Sequence, residues 1–258
     1  KWTTNYTGYA DRIEVKFTHI PVPTPKNFAD DSWATIAANV QANKEATASV
    51  YKVGDTRKVT IDKKDYTVRI ANNSNYDCNL ESQTACGFVV EFADIVENRQ
   101  MNSTNTNVGG WEASEMRTYA NGAFFNNLPE DLRNVIKATK VVSGHGNTTG
   151  ETNFTSTDKI YLLSAHEVWK DGTSNQVSKY DTAYNQTRQL DYYKNLGVTT
   201  SSYSGAIKKY NNSNSSWWLR AADSNYNNLF LIVCYGDDWD TNDAYVANGL
   251  APALRIGE

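Results

Sequence analysis

Between Arg220 and Gly249 lie 28 residues without one Lys, Arg, Glu, Gln or Met, although those types make up 44 of the 258 residues of the chain. By their overall share, about five would be expected in a window of that length. Other scarcities set wider bounds. No run approaches the roughly 18 consecutive apolar residues that a spanning helix needs, so membrane insertion of this segment is not expected. No leader of charged, apolar and small residues opens the chain, and the missing initiator Met is compatible with a longer parent or a removed export signal. Basic stripes are also lacking: the window holds five Asp and no base, and the other residues nearly balance within a net charge of −4. Nucleic-acid binding rests on Lys and Arg displacing counterions, so no nucleic-acid partner is expected.

The three cysteines, Cys78, Cys86 and Cys234, form no C-x2-C pair and have no clustered His beside them, which leaves a zinc site without ligands. Cys78 and Cys86 enclose the polar stretch CNLESQTAC and suit either a local disulfide or two buried thiols. His19, His145 and His166 are scattered, and the chain carries no H-E-x-x-H, no G-x-S-x-G and no phosphate-cradling glycine loop. Ser164, His166 and Glu167 are neighbours in SAHE, but on a strand such neighbours point to opposite faces and make no triad.

What is present suits a globular protein with a sizeable core: 40% hydrophobic and 12% aromatic residues in 258. Ile13, Val15 and Phe17 alternate as in a strand and lead to Pro21, Pro23 and Pro25, so residues 1–25 read as an N-terminal strand and stiff linker, the end of a preceding module or an edge. Residues 26–258 read as one domain. Trp33, Ile36, Ala37 and Val40 recur at helical spacing after an Asp/Ser start. Val59 and Ile61, then Tyr66, Val68 and Ile70, flank a polar turn and predict a hairpin. GFVVEFADIV predicts a buried strand. Trp111, Met116, Ala120, Ala123 and Phe124 predict one helix, and Pro129, Glu130 and Asp131 open a second with Leu132, Val135 and Ile136 inward and Lys137 and Lys140 at its end. DKIYLLSAHEVW predicts a strand leading into a turn, DTAYNQTRQLDYYKNLG a polar helix stopped by Gly197, and the C-terminal segments short strands between long loops. With helices in the middle and short irregular strands at both ends, the order predicts an α+β fold.

The window itself mixes Tyr226, Tyr235, Tyr245 and Trp239 with Asn, Asp, Ser and Thr, as antibody loops do: rigid amphipathic rings beside short, adaptable polar groups. An ordinary polar surface loop has much the same composition. Asp237, Asp238, Asp240 and Asp243 offer hard oxygen ligands for calcium, yet the glycine and distal Glu of an EF-hand are missing and a solvated loop is the plainer reading. No other cofactor is expected.

Five segments carry a resemblance: GGWEASEMR (109–117), LPEDLRNVIKATKVV (128–142), TDKIYLLSAHEVW (157–169), WWLRAA (217–222) and GLAPALRI (249–256). In this order they resemble the successive motifs of a bacterial and phage domain family of uncharacterised function, departing mildly at Ala221 and Leu250, over about residues 28–257. That family resembles the C-type lectin fold in the version shared with formylglycine-generating enzymes and the variable proteins of diversity-generating retroelements. In those proteins adenines of a template are randomised, so AAY codons become NNY codons, which never encode Lys, Glu, Gln, Met or Trp. The resemblance thus accounts for four of the five missing types, not for Arg, and makes Trp239 scaffold.

It implies a non-enzymatic ligand-binding domain for receptor recognition or adhesion, extracellular on a phage virion or bacterial cell surface, with a protein or glycan ligand. Its variable residues would be Asp223, Ser224, Asn225, Tyr226, Asn227, Asn228, Leu231, Tyr235, Asp237, Asp238, Asp240, Thr241, Asn242, Asp243, Tyr245 and Asn248, within a hypervariable region at 221–248. Its framework would be Trp111, Arg117, Trp217, Trp218, Arg220, Phe230, Val233, Gly236, Trp239, Ala244 and Arg255, with Gly236 permitting a tight turn. A calcium-dependent glycan-binding lectin is one alternative. A formylglycine-generating-type oxidase is another, although that chemistry resembles a two-cysteine copper site and the C-terminal half holds one Cys.

Overall fold

The hairpin forms from Thr56–Ile61 (β1) and Lys64–Ser74 (β2) in a computed structural model that describes residues 21–42, 48–74, 78–173 and 175–257. Asp62 and Lys63 both take positive φ, 49° and 68°, the paired left-handed geometry of a two-residue turn whose twist matches the flanking strands. β2 continues to Gly87–Phe92 (β3), and β3 pairs with the C-terminal Ala253–Ile256 (β13), giving an antiparallel sheet in the order β1-β2-β3-β13. Helix α1 (Trp33–Ala42) begins where the Ser32 hydroxyl accepts the Thr35 N–H, and it buries Trp33, Ile36, Ala37 and Val40. Phe28 sits between Trp33 and Phe88, at 5.8 and 6.1 Å, and joins helix to sheet. The expected strand over Ile13–Phe17 lies outside the described residues; Pro21, Pro23 and Pro25 lie in a stretch that is neither helix nor strand.

A second sheet holds the sequence window. Its order is β11 (Trp239–Asp243), β10 (Leu229–Val233), β9 (Trp217–Ala222), β12 (Ala247–Leu250), β4 (Glu97–Gln100), with β9 and β12 parallel and the other neighbours antiparallel. Gly249 lies opposite Trp217, where a Cβ would stand 2.5 Å from Ile95 Cδ1, so the close approach of backbone and side chain requires glycine there. Two-stranded ladders, β5 (Thr139–Ser143) with β6 (Phe154–Asp158) and β7 (Lys208–Tyr210) with β8 (Ser213–Ser215), complete a mixed α+β fold of mostly strands, few short helices and irregular loops. Cys78 and Cys86 are joined in a disulfide and Cys234 is free.

Several local expectations give way to tertiary contacts. The helix starting at Glu115 passes into a π turn over Ala120–Phe124, and the extra residue in that turn shifts its phase, so Phe124 is buried and Ala123 is exposed. The second helix is only Glu130–Arg133; the β-branched stretch after it pairs as β5, which takes Lys140 into a strand. SAHE opens the helix Ala165–Val168, where Ser164 and Glu167 form a reciprocal capping box. The long polar helix breaks at Thr187, held extended while its hydroxyl bonds Glu167 at 2.9 Å, and resumes at Asp191–Asn195.

Candidate ligand-binding surface

Among the described residues, Glu91 is met in the core by Arg69 and Lys208, and two further buried ionic networks fix the frame beneath the loops. Arg220, in β9, meets Glu167 through both terminal nitrogens, each at 2.7 Å, and also donates to the Val142 and Leu162 carbonyls and the Thr84 hydroxyl. Burial alone would push the Glu167 carboxyl up; the guanidinium, Thr84 and the Ser164 N–H hold it below the ordinary carboxylate range. Asp158, at the end of β6, accepts from Trp111 Nε1 at 2.8 Å and from Arg117 Nε at 2.7 Å, and Ser114 caps the helix that carries Arg117. Segments far apart in the chain therefore meet as structural pairs. Trp217 and Trp218 are buried as well, and their indole N–H groups donate to Ala206 and Arg99 carbonyls.

On this frame the window is a β10–β11 hairpin with loops at both ends. Phe230, Val233 and Ala244 are fully buried, and Trp239 is half-buried against Tyr180, with ring centroids 4.7 Å apart. Leu231 departs from its expected exposed place: it is fully buried, because both faces of β10 are covered. Gly236 departs from its expected framework place: it is exposed, its φ is not positive, and a Cβ there would meet nothing within 4 Å. Asp223 and Asp238 are buried too, turned inward to hold loop backbone and the Asn175 amide.

The outward groups are Asn225, Tyr226 and Asn227 on the β9–β10 loop, Tyr235 and Asp237 on the β10–β11 loop, Asp240 on β11 and Tyr245 after it; Ser224, Asn228, Thr241, Asn242, Asp243 and Asn248 are half-buried. Tyr226 and Tyr235 expose 58% and 56% of their surface and Tyr245 45%, large apolar groups left about half in solvent. Leu229 opposite Asp243 and Val233 opposite Trp239 set the register. Tyr226 and Tyr245 thus share one end of the hairpin, and Tyr235 lies at the other, roughly 13 Å away at a strand's rise.

Residues outside the window shape it. Asn107 is fully buried, and its amide nitrogen donates to three loop carbonyls, those of Asp223, Tyr226 and Leu229, at 3.2, 2.7 and 2.8 Å. Its own N–H donates to the Asn227 carbonyl at 2.8 Å. Asn105 reaches Asp243, Asn102 N–H takes the Ala244 carbonyl, and Asn147 takes the Asn225 carbonyl. None of these was singled out from the sequence; the positive-φ pair Gly109 and Gly110 beside Asn107 was the available sign of a tightly turned loop.

The four acids proposed for calcium do not converge. Asp237 and Asp240 accept from the N–H of the next residue, Asp238 from Asn175, and Asp243 from Asn105 and Asn228. Among the described residues no three His, Cys, Asp or Glu side chains are grouped to hold a metal. One acid below the loops is perturbed: burial pushes the Asp181 carboxyl up to about 6, against the opposing pull of the Ala183 N–H and of Arg220. A raised folded-state value means that stability from this group is present below its unfolded value near 3.8 and is lost as pH rises through about 6. Relative to wild type, Asp181→Asn should therefore gain on the order of 2 to 3 kcal/mol between pH 4 and pH 7. Urea unfolding of both proteins across that range is the check, and a constant difference would contradict the assignment.

Fold and surface together define a mixed α+β domain whose rigid, ionically pinned frame carries polar, tyrosine-bearing loops. The chain belongs to a family described as a domain of unknown function, DUF6273, whose profile matches residues 88–257. No curated protein and no solved structure matches the chain. Among the described residues no helix is long and apolar enough to cross a membrane.

Proposed function

We propose that this chain is a non-enzymatic binding domain with a C-type lectin-like fold, of the kind diversified by retroelements. It is displayed outside the cell, on a phage virion or bacterial surface, and takes a protein or glycan ligand on the β10–β11 hairpin and its loops. One observation carries the reading: the outward residues of a window free of Lys, Arg, Glu, Gln and Met are Tyr, Asn and Asp beside the small Gly236 and Ala247, on loops tied to a buried frame. Rigid rings beside short polar groups suit adaptable recognition, and a stable frame lets them vary without loss of the fold. The separated acids give the calcium-dependent lectin no support.

The test is deep sequencing of this locus in its source population. Substitutions should concentrate at Asn225, Tyr226, Asn227, Tyr235, Asp237, Asp240 and Tyr245, while Leu231, Phe230, Val233 and Trp239 stay constant. Variation spread evenly along the chain, or none in the window, would overturn diversification.

A further inference from the structure

Arg255, on the C-terminal strand β13, is 8% exposed, yet among the described residues its Nε and Nη1 have no hydrogen-bond partner. Nη2 contacts only the sulfur of Cys86, at 3.5 Å, a weak acceptor. This is unlike Arg220 and the partly buried Arg69, each of which is met by a carboxylate. No acid opposes the effect of burial on Arg255, which pushes its pKa down, and only Tyr161 counters it. An unpaired buried guanidinium is costly, and proteins normally pair it.

The same residue lines a cavity of about 200 Å³ between the end of α1, the end of β2, the start of β3 and β13. Lys137 brings a second cation to the wall, and Val40, Phe88 and Ile256 give it an apolar side. One buried guanidinium without a counter-charge, polar edges from Asn73 and Ser74, and a short apolar wall are complementary to one chemistry, a small anion with an apolar body. We propose that this cavity is a binding site for a small organic carboxylate, whose carboxylate completes the hydrogen bonding of Arg255 and whose short chain lies against Val40, Phe88 and Ile256. The site is on the four-stranded sheet and does not depend on the tyrosine-bearing loops.

The whole chain should be titrated by calorimetry and by thermal shift with sodium propionate, sodium phosphate and sodium chloride at matched ionic strength. Propionate should bind saturably and raise the melting temperature beyond the effect of chloride. Arg255→Met should weaken propionate binding by roughly tenfold or more, as expected for loss of a charge-assisted pair. Its melting temperature in the absence of ligand should be unchanged or higher, because it removes an unpaired buried charge. Should Arg255→Met not fold, Lys137→Gln is the second variant, with a weaker propionate affinity expected. Saturation by phosphate in preference to propionate would overturn the carboxylate assignment. Equal responses to all three salts, or propionate binding that neither variant alters, would overturn the site.

Discussion

Glu167→Gln should cost the domain about 3 to 5 kcal/mol, the expected penalty for stranding one partner of a fully buried ion pair. Glu167 accepts from both Arg220 terminal nitrogens, from Thr84 and Thr187, and from the Ser164 N–H that begins its own helix. An amide in its place turns one acceptor into a donor facing the guanidinium, and leaves the Arg220 charge uncompensated in the core. Against a typical domain stability of about 5 to 15 kcal/mol the loss is large. Arg220→Met strands the carboxylate instead and should be similarly severe, whereas the double variant Glu167→Gln with Arg220→Met should be milder than the sum of the two. Urea denaturation of the four proteins measures the coupling. Additive losses would mean that the pair does not act as a unit.

Asn107→Ala should release the β9–β10 loop. Its amide nitrogen is the shared donor for the Asp223, Tyr226 and Leu229 carbonyls; Leu229 keeps the Asp223 N–H, and each buried acceptor left without a donor costs about 1 to 3 kcal/mol. Because the three share one donor and can relax together, a total near 3 kcal/mol is expected. Asn107→Asp should be worse than Asn107→Ala, since a carboxylate oxygen would then face carbonyl oxygens. Hydrogen exchange gives the local reading: amides of residues 223–229 should lose protection in Asn107→Ala, while those of β3 and β13 keep theirs. Uniform loss across the domain, or none at the loop, would show that Asn107 does not specifically hold this surface.

The local elements show where sequence pattern was enough. Spacings of three, four and seven placed α1, and alternation of Val59, Ile61, Val68 and Ile70 placed the first hairpin, because each pattern reflects one buried face of a regular backbone. Leu231 shows where pattern failed. The composition of the window marks residues open to change but carries no sign that both faces of β10 are covered. The helical spacing around Ala123 likewise could not register a π turn, and the helix expected through Lys140 lost to strand pairing with β6.

By itself the sequence determined the absence of a basic stripe, the unusual composition of the window, the mixed α+β character and the short-range elements, all of which are sums or periodicities along the chain. Only the tertiary structure decided which residues hold the β9–β10 and β10–β11 loops and which of their side chains face solvent. Arg220 finds Glu167 across 53 residues, and Asn107 finds the Leu229 carbonyl across 122. Such partners are chosen by desolvation in a shared interior, where a polar group must meet its complement wherever in the chain that complement lies, and no local period records that requirement.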